Sequence, residues 1–167
     1  HKFILIFDEC TSGFRETYGG IHKKFNIFPD ICVYGKAIGN GYGITAVVGK
    51  KTIMDNAQKT FISSTFWTER VGPTAALKTL EIMEKTRSWE TISKKGKFFK
   101  QRLIKLGEKY GLPLNVFGSD GIPSFNFASK NNLKYKTFIT QEMLKSNILA
   151  SNVIYICVKH DLKKFND

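Results

Sequence analysis

The sequence predicts an α/β protein: the closing part of a large, mostly parallel-sheet domain joined to part of a smaller α/β domain. Three observations lead there. A continuous apolar run, Phe3-Ile4-Leu5-Ile6-Phe7, ends in two acids, as a strand buried on both faces of a parallel sheet does. Two more short apolar runs, residues 31–34 and 44–48, alternate with glycine-rich turns. Two long stretches with apolar residues at helical spacing follow, and strands resume near residue 122. The large-domain part is assigned to residues 1–86 and the smaller domain to residues 87–167.

The first strand leaves Asp8 and Glu9 at its carboxyl end. Gly13, Gly19 and Gly20 mark a loop, and Pro29-Asp30 a turn. The second strand stops at Gly35-Lys36, and the third follows the segment Gly39-Asn40-Gly41-Tyr42-Gly43, whose glycines let the chain bend behind Lys36. Over residues 70–85, Val71, Ala75, Leu77, Leu80 and Met83 recur at spacings of two to four. That predicts a largely buried helix, with Pro73 tolerated in its first turn. Ser88 is placed to cap the next helix, along one side of which lie Trp89, Ile92, Phe99, Leu103 and Leu106; Gly111 and Pro113 end it. Residues 122–128 and 153–158 read as strands around a helix at 138–145. Residues 161–167 look like the first turns of another helix. With no initiating Met and an apolar run at its start, the chain reads as a piece of a longer protein.

Composition narrows the function. Lys and Arg number 26 against 14 Asp and Glu, a net charge of +12 that raises the question of anionic partners. Most of these cations fall in residues 94–109 and 130–145, interleaved with apolar positions like a solvated helix face. No RNP-like aromatic motif or basic arm accompanies them. Nucleic acid is therefore not the expected partner, and a basic polyanion-binding module is the non-enzyme alternative. No apolar stretch approaches the roughly 18–20 residues of a membrane span. Cys10, Cys32 and Cys157 are widely spaced with no CxxC pair, so neither a disulfide framework nor a metal site is expected, and a reducing cytoplasm fits.

Two charged groups follow two apolar strands: Asp8 after the first, Lys36 after the second. In open α/β sheets that edge is where ligands bind. Gly35 and Ala37 leave room for a bulky group on the lysine. The surrounding segments are Leu5-Ile6-Phe7-Asp8-Glu9-Cys10-Thr11-Ser12-Gly13-Phe14-Arg15, then Pro29-Asp30-Ile31, then Tyr34-Gly35-Lys36-Ala37-Ile38-Gly39-Asn40-Gly41. In order and spacing they resemble the class III aminotransferases, and within them glutamate-1-semialdehyde aminomutase and its relatives.

That resemblance implies the fold-type-I architecture of pyridoxal-phosphate-dependent transferases and pyridoxal 5'-phosphate as cofactor. It further implies a homodimer acting on a small amino donor and a keto or aldehyde acceptor. It makes Lys36 the lysine that forms the Schiff base and Asp8 the partner of the pyridine nitrogen. Thr65 matches the position that reaches the phosphate from the neighbouring subunit, with Ser64 next in line should the register differ by one. Cys10 stands where the family usually has Val against the ring; an ordinary buried thiol is the other reading. The roles make chemical sense: an amine can form an imine and then move protons, and an anion at the ring nitrogen maintains an electron sink. The segment Thr65-Phe66-Trp67-Thr68-Glu69-Arg70 departs from the family's more usual Thr-x-x-Gly-Asn-Pro, which favours an aminotransferase over the aminomutase. The phosphate cradle and the ring-stacking aromatic belong to the family's N-terminal half, outside this chain. Glu9 should point away from Asp8 into a structural contact. Arg15 should pair locally, and His22 and His160, with no partner acids at ligand spacing, should be surface or turn residues.

Overall fold

A computed structural model describes residues 3–163, which divide into two compact units, one running to Trp89 and the other starting at Glu90. In the first unit, strands β1 (Ile6–Glu9), β2 (Ile31–Tyr34) and β3 (Ala46–Gly49) form one sheet in the order β1-β2-β3. β1 and β2 are parallel, with Asp8 opposite Val33, whereas β2 and β3 are antiparallel, with Tyr34 opposite Ala46. This part of the sheet is therefore mixed rather than parallel throughout.

β1 begins three residues later than the apolar run suggested and contains both acids. Alternation then decides their fates: Glu9 faces inward at 2 % exposure and Asp8 is exposed. Two-sided burial of this strand is not found. Phe3 is 80 % exposed and Ile6 56 %, because among the described residues β1 is an edge strand with an uncovered side.

A short helix α1 (Lys51–Met54) runs into a 3-10 turn, Asp55–Lys59. Helix α2 (Val71–Thr86) has Pro73 in its first turn, as expected. It buries Gly72, Ala76 and Met83 but leaves Val71 and Leu77 exposed, so it is not the largely buried helix that its spacing suggested. Small residues make its contact instead. A Cβ at Gly72 would lie 2.7 Å from the carbonyl oxygen of Gly43, so the start of α2 rests directly on the loop that follows Lys36.

Helix α3 (Ser88–Tyr110) takes Ser88 as its first residue rather than as a preceding cap. In the second unit its inward side is built on Gly96 and Gly107 rather than on Leu106, which is 42 % exposed. A Cβ at Gly96 would stand 1.6 Å from the carbonyl oxygen of Asp120. The helix closes at Gly111, whose φ is +60°, with Leu112 N–H donating to Gly107 O at 2.8 Å and Gly111 N–H to Glu108 O at 3.3 Å.

Strands β4 (Leu114–Phe117) and β5 (Ser124–Phe127) then pair antiparallel. β4 was not anticipated, and β5 is shorter than the apolar stretch around it. Residues 153–158 make one isolated bridge, Val153 to Ser124, instead of a strand. They still pack along the hairpin, with Ile154 N–H donating to Pro123 O and Ile156 only 1 % exposed. Helix α4 (Asn132–Lys145) starts six residues earlier than its apolar pattern suggested. The helical start expected over residues 161–167 lies mostly outside the described residues.

Candidate active site

Asp8, Cys10 and Lys36 come together at the carboxyl ends of β1 and β2, where the parallel register sets their spacing. Gly35 is extended, with φ −162°, and a Cβ there would lie 3.4 Å from Cys10 Sγ, so a thiol packs where a side chain at 35 would begin. Lys36 itself has φ +45°, the left-handed region that a residue with a Cβ seldom adopts. Its exposed side chain reaches back towards β1, and Nζ hydrogen-bonds the hydroxyl of Thr11.

The Asp8 carboxylate accepts the Cys10 backbone N–H through Oδ1 at 3.0 Å. That amide, the Cys10 thiol and, more weakly, the Lys36 charge hold the Asp8 carboxyl below its ordinary range, against a small opposing effect of burial. Burial first, and then the neighbouring Asp8, pushes the Cys10 thiol up, so it sits in the site as a neutral group. The arrangement joins a primary amine able to condense with a carbonyl to a carboxylate maintained as an anion.

The turn carrying Cys10 and Thr11 is fixed by Glu9. Its Oε1 accepts the His22 N–H at 3.1 Å and meets His22 Nδ1 at 2.8 Å. Its Oε2 accepts the Ile21 N–H at 2.6 Å and the Ser12 hydroxyl at 3.0 Å. Burial alone would raise the Glu9 carboxyl, yet these donors together hold it below its ordinary value. The expectation that His22 is a surface or turn residue without an acidic partner is overturned: it is buried at 7 % exposure against Glu9. Glycine at position 20 makes this possible, since a Cβ there would lie 2.2 Å from His22 Nδ1. Cys32 completes a buried trio whose ligand-type atoms lie within 4.8 Å of one another. The carboxylate in it is already saturated by protein donors.

Thr65 and Ser64 lie on the exposed segment between β3 and α2, and neither side chain makes a hydrogen bond among the described residues. The single chain therefore does not bring them to Lys36. Arg15 pairs locally, donating from Nε to Thr11 O at 2.6 Å. Sequence reasoning missed Thr11, and its signal was available: it directly follows Cys10 in the same loop as the Gly-Phe-Arg motif.

The model of the class III aminotransferase family matches residues 1–157, and the chain belongs to that family. It is 38 % identical over 163 residues to 3-aminobutyryl-CoA aminotransferase of Cloacimonas acidaminovorans, covering 94 % of this chain and 39 % of that protein. It is 31 % identical to glutamate-1-semialdehyde 2,1-aminomutase of Saccharolobus islandicus, covering all of this chain and 42 % of that one. Among solved structures, the FumI protein of Sphingopyxis sp. MTA144, described as the PLP internal aldimine form, superposes with a TM-score of 0.90 at 25 % identity, covering 98 % of this chain and 40 % of that one. Acetylornithine aminotransferase of Elizabethkingia anophelis gives 0.84 at 22 % identity, covering 98 % and 43 %. The fold is thus part of the fold-type-I transaminase architecture. The chain spans about two fifths of the length of these relatives. No helix among the described residues is long and apolar enough to cross a membrane.

Proposed function

We propose that the whole protein is a pyridoxal-phosphate-dependent aminotransferase that moves an amino group between a small amino compound and a keto or aldehyde acceptor. The observation that carries this reading is the placement of the Lys36 amine, in the turn that follows β2, near the anionic Asp8 carboxylate at the end of the parallel neighbour β1, in a member of this family. When bound, the cofactor supplies an aldehyde for the amine and a ring that withdraws electrons from the substrate's Cα. The residues fit that group: an exposed amine in the turn after β2, an acid kept ionised near it, and a neutral thiol close enough to feel both.

Lys36 would hold the cofactor and afterwards carry the Cα proton on Nζ. Asp8 would keep a proton on the ring nitrogen. Cys10 would pack against the ring, and Thr65, on its exposed turn, would reach the phosphate across a homodimer interface. Transfer between two compounds is favoured over transfer within one by the higher identity to an aminotransferase than to an aminomutase, and by the segment Thr65 to Arg70. The reducing cytoplasm suits the free cysteines Cys10, Cys32 and Cys157.

The test is borohydride reduction of the full-length protein with pyridoxal phosphate, followed by peptide mapping. The label is expected on Lys36 and absent in Lys36→Ala. A label on a different lysine overturns the assignment.

A further inference from the structure

We propose that Thr11 is a positioning residue for the Lys36 amine, holding it in one direction whenever it is free; this rests on the reading that Lys36 is the cofactor lysine. Among the described residues, Thr11 Oγ1 is the only hydrogen-bond partner of Lys36 Nζ. An exposed lysine on a flexible four-carbon stem otherwise samples many rotamers, and reaction at one carbon requires a defined approach.

The hydroxyl can do this because its own backbone is immobilised residue by residue. The Cys10 amide is tied to Asp8 Oδ1 at 3.0 Å, the Thr11 carbonyl accepts Arg15 Nε at 2.6 Å, and the Gly13 amide donates to Glu9 O at 2.8 Å. On the other side, the left-handed backbone at Lys36 turns its side chain out of the strand's alternation. Two constraints thus meet at one nitrogen: a strained backbone that directs the stem and a fixed hydroxyl that receives its end. A valine at position 11 keeps the shape and loses the acceptor; a serine keeps the acceptor and loses a methyl.

In the reaction that tests this, the Lys36 Nζ lone pair forms a C=N bond with the aldehyde carbon of pyridoxal phosphate. The carbonyl oxygen leaves as water with the two N–H protons, so no oxidant or reductant is needed. The association is followed by absorbance on the full-length apoprotein, and the attachment site is fixed by borohydride and mapped. Thr11→Val is expected to form the Lys36 adduct about three- to tenfold more slowly, as befits loss of one exposed charge-assisted hydrogen bond, with an unchanged circular dichroism spectrum. Thr11→Ser is expected to restore the rate. With substrate present, Thr11→Val should lower kcat with little change in KM, and raise the isotope effect from deuterium at the substrate's Cα.

Equal adduct rates in wild type and Thr11→Val, with Lys36 labelled in both, overturn the proposal and leave the cofactor assignment standing. Failure of serine to restore the rate also overturns it, because the effect would then be one of packing. A wild-type label elsewhere than Lys36 overturns both readings together.

Discussion

His22 Nδ1 lies 2.8 Å from Glu9 Oε1, and this buried pair ties the end of the first strand to the chain thirteen residues later. Everything between them, including Cys10 and Thr11, hangs on that closure. Glu9→Ala is expected to destabilise the intact protein by about 3 kcal/mol, because it strands the half-buried Ile21 amide and the buried His22 amide without an acceptor. Denaturant unfolding measures it, and a change below about 0.5 kcal/mol, the range of ordinary surface substitutions, would show that the hub is not structural.

The same carboxylate predicts a pH dependence. Four donors hold Glu9 below its ordinary value of 4.5, despite burial acting the other way. A carboxyl that is more acidic in the folded state contributes stability that is fully present above its unfolded value. That contribution fades as pH falls through the folded one. Melting temperature should therefore hold steady from neutrality to about pH 5 and then drop, with a shallower drop in Glu9→Gln. Parallel curves for the two proteins would remove Glu9 from the account of acid unfolding.

Asp8 differs in being exposed, and the role proposed for it is chemical. Asp8→Asn keeps an oxygen that can accept the Cys10 amide, so the melting temperature should barely move. Removal of the Cα proton should nevertheless slow by about 100-fold or more, the scale typical of losing a preorganised electrostatic partner. Near-normal turnover would sink the assigned role.

Gly96 offers a purely steric prediction in the second unit. An added Cβ would fall 1.6 Å from the Asp120 carbonyl oxygen, and backbone cannot retreat as a flexible side chain can. Gly96→Ala should cost about 2–3 kcal/mol, an overpacking penalty that outweighs alanine's better helix propensity. A neutral or stabilised variant would mean that helix α3 can shift outward freely.

The 167-residue chain made alone is expected to lack transaminase activity, since it spans about two fifths of its relatives and leaves Phe3, Ile6, Val47 and Val48 exposed. It should also self-associate through that apolar surface and the open strand edge. Half-reaction turnover equal to that of the intact protein, from a monodisperse sample, would show that the site needs nothing more.

The sequence revealed most where local chemistry is strong. The positions of Asp8 and Lys36 at the ends of neighbouring strands, the second strand, Pro73 at a helix start and the Gly111 stop were legible because each depends on near neighbours. Burial was read less well. Glu9 and His22 become interior only through a contact thirteen residues apart, and α3 packs through Gly96 and Gly107, which an apolar-residue count passes over. The strand at 114–117 was hidden because only its pairing with 124–127 makes four residues a strand. Residues 153–158 looked like a strand by composition, yet one bridge is all that their path along the hairpin allows.

The hydrogen-bonded register of β1 on β2 sets Asp8 against Val33, with Lys36 three residues further on. Because side chains alternate along a strand, slipping β2 by one residue would swap every inward group for an outward one. The distance between acid and amine is therefore gauged by the backbone ladder and not by the bulk of any core side chain. Substitutions that enlarge or trim the interior can be absorbed without altering this spacing, whereas a single inserted or deleted residue in the short stretch from Ile31 to Lys36 would carry the Lys36 amine away from Asp8. Variation in this protein should accordingly be generous in residue type there and intolerant of changes in length.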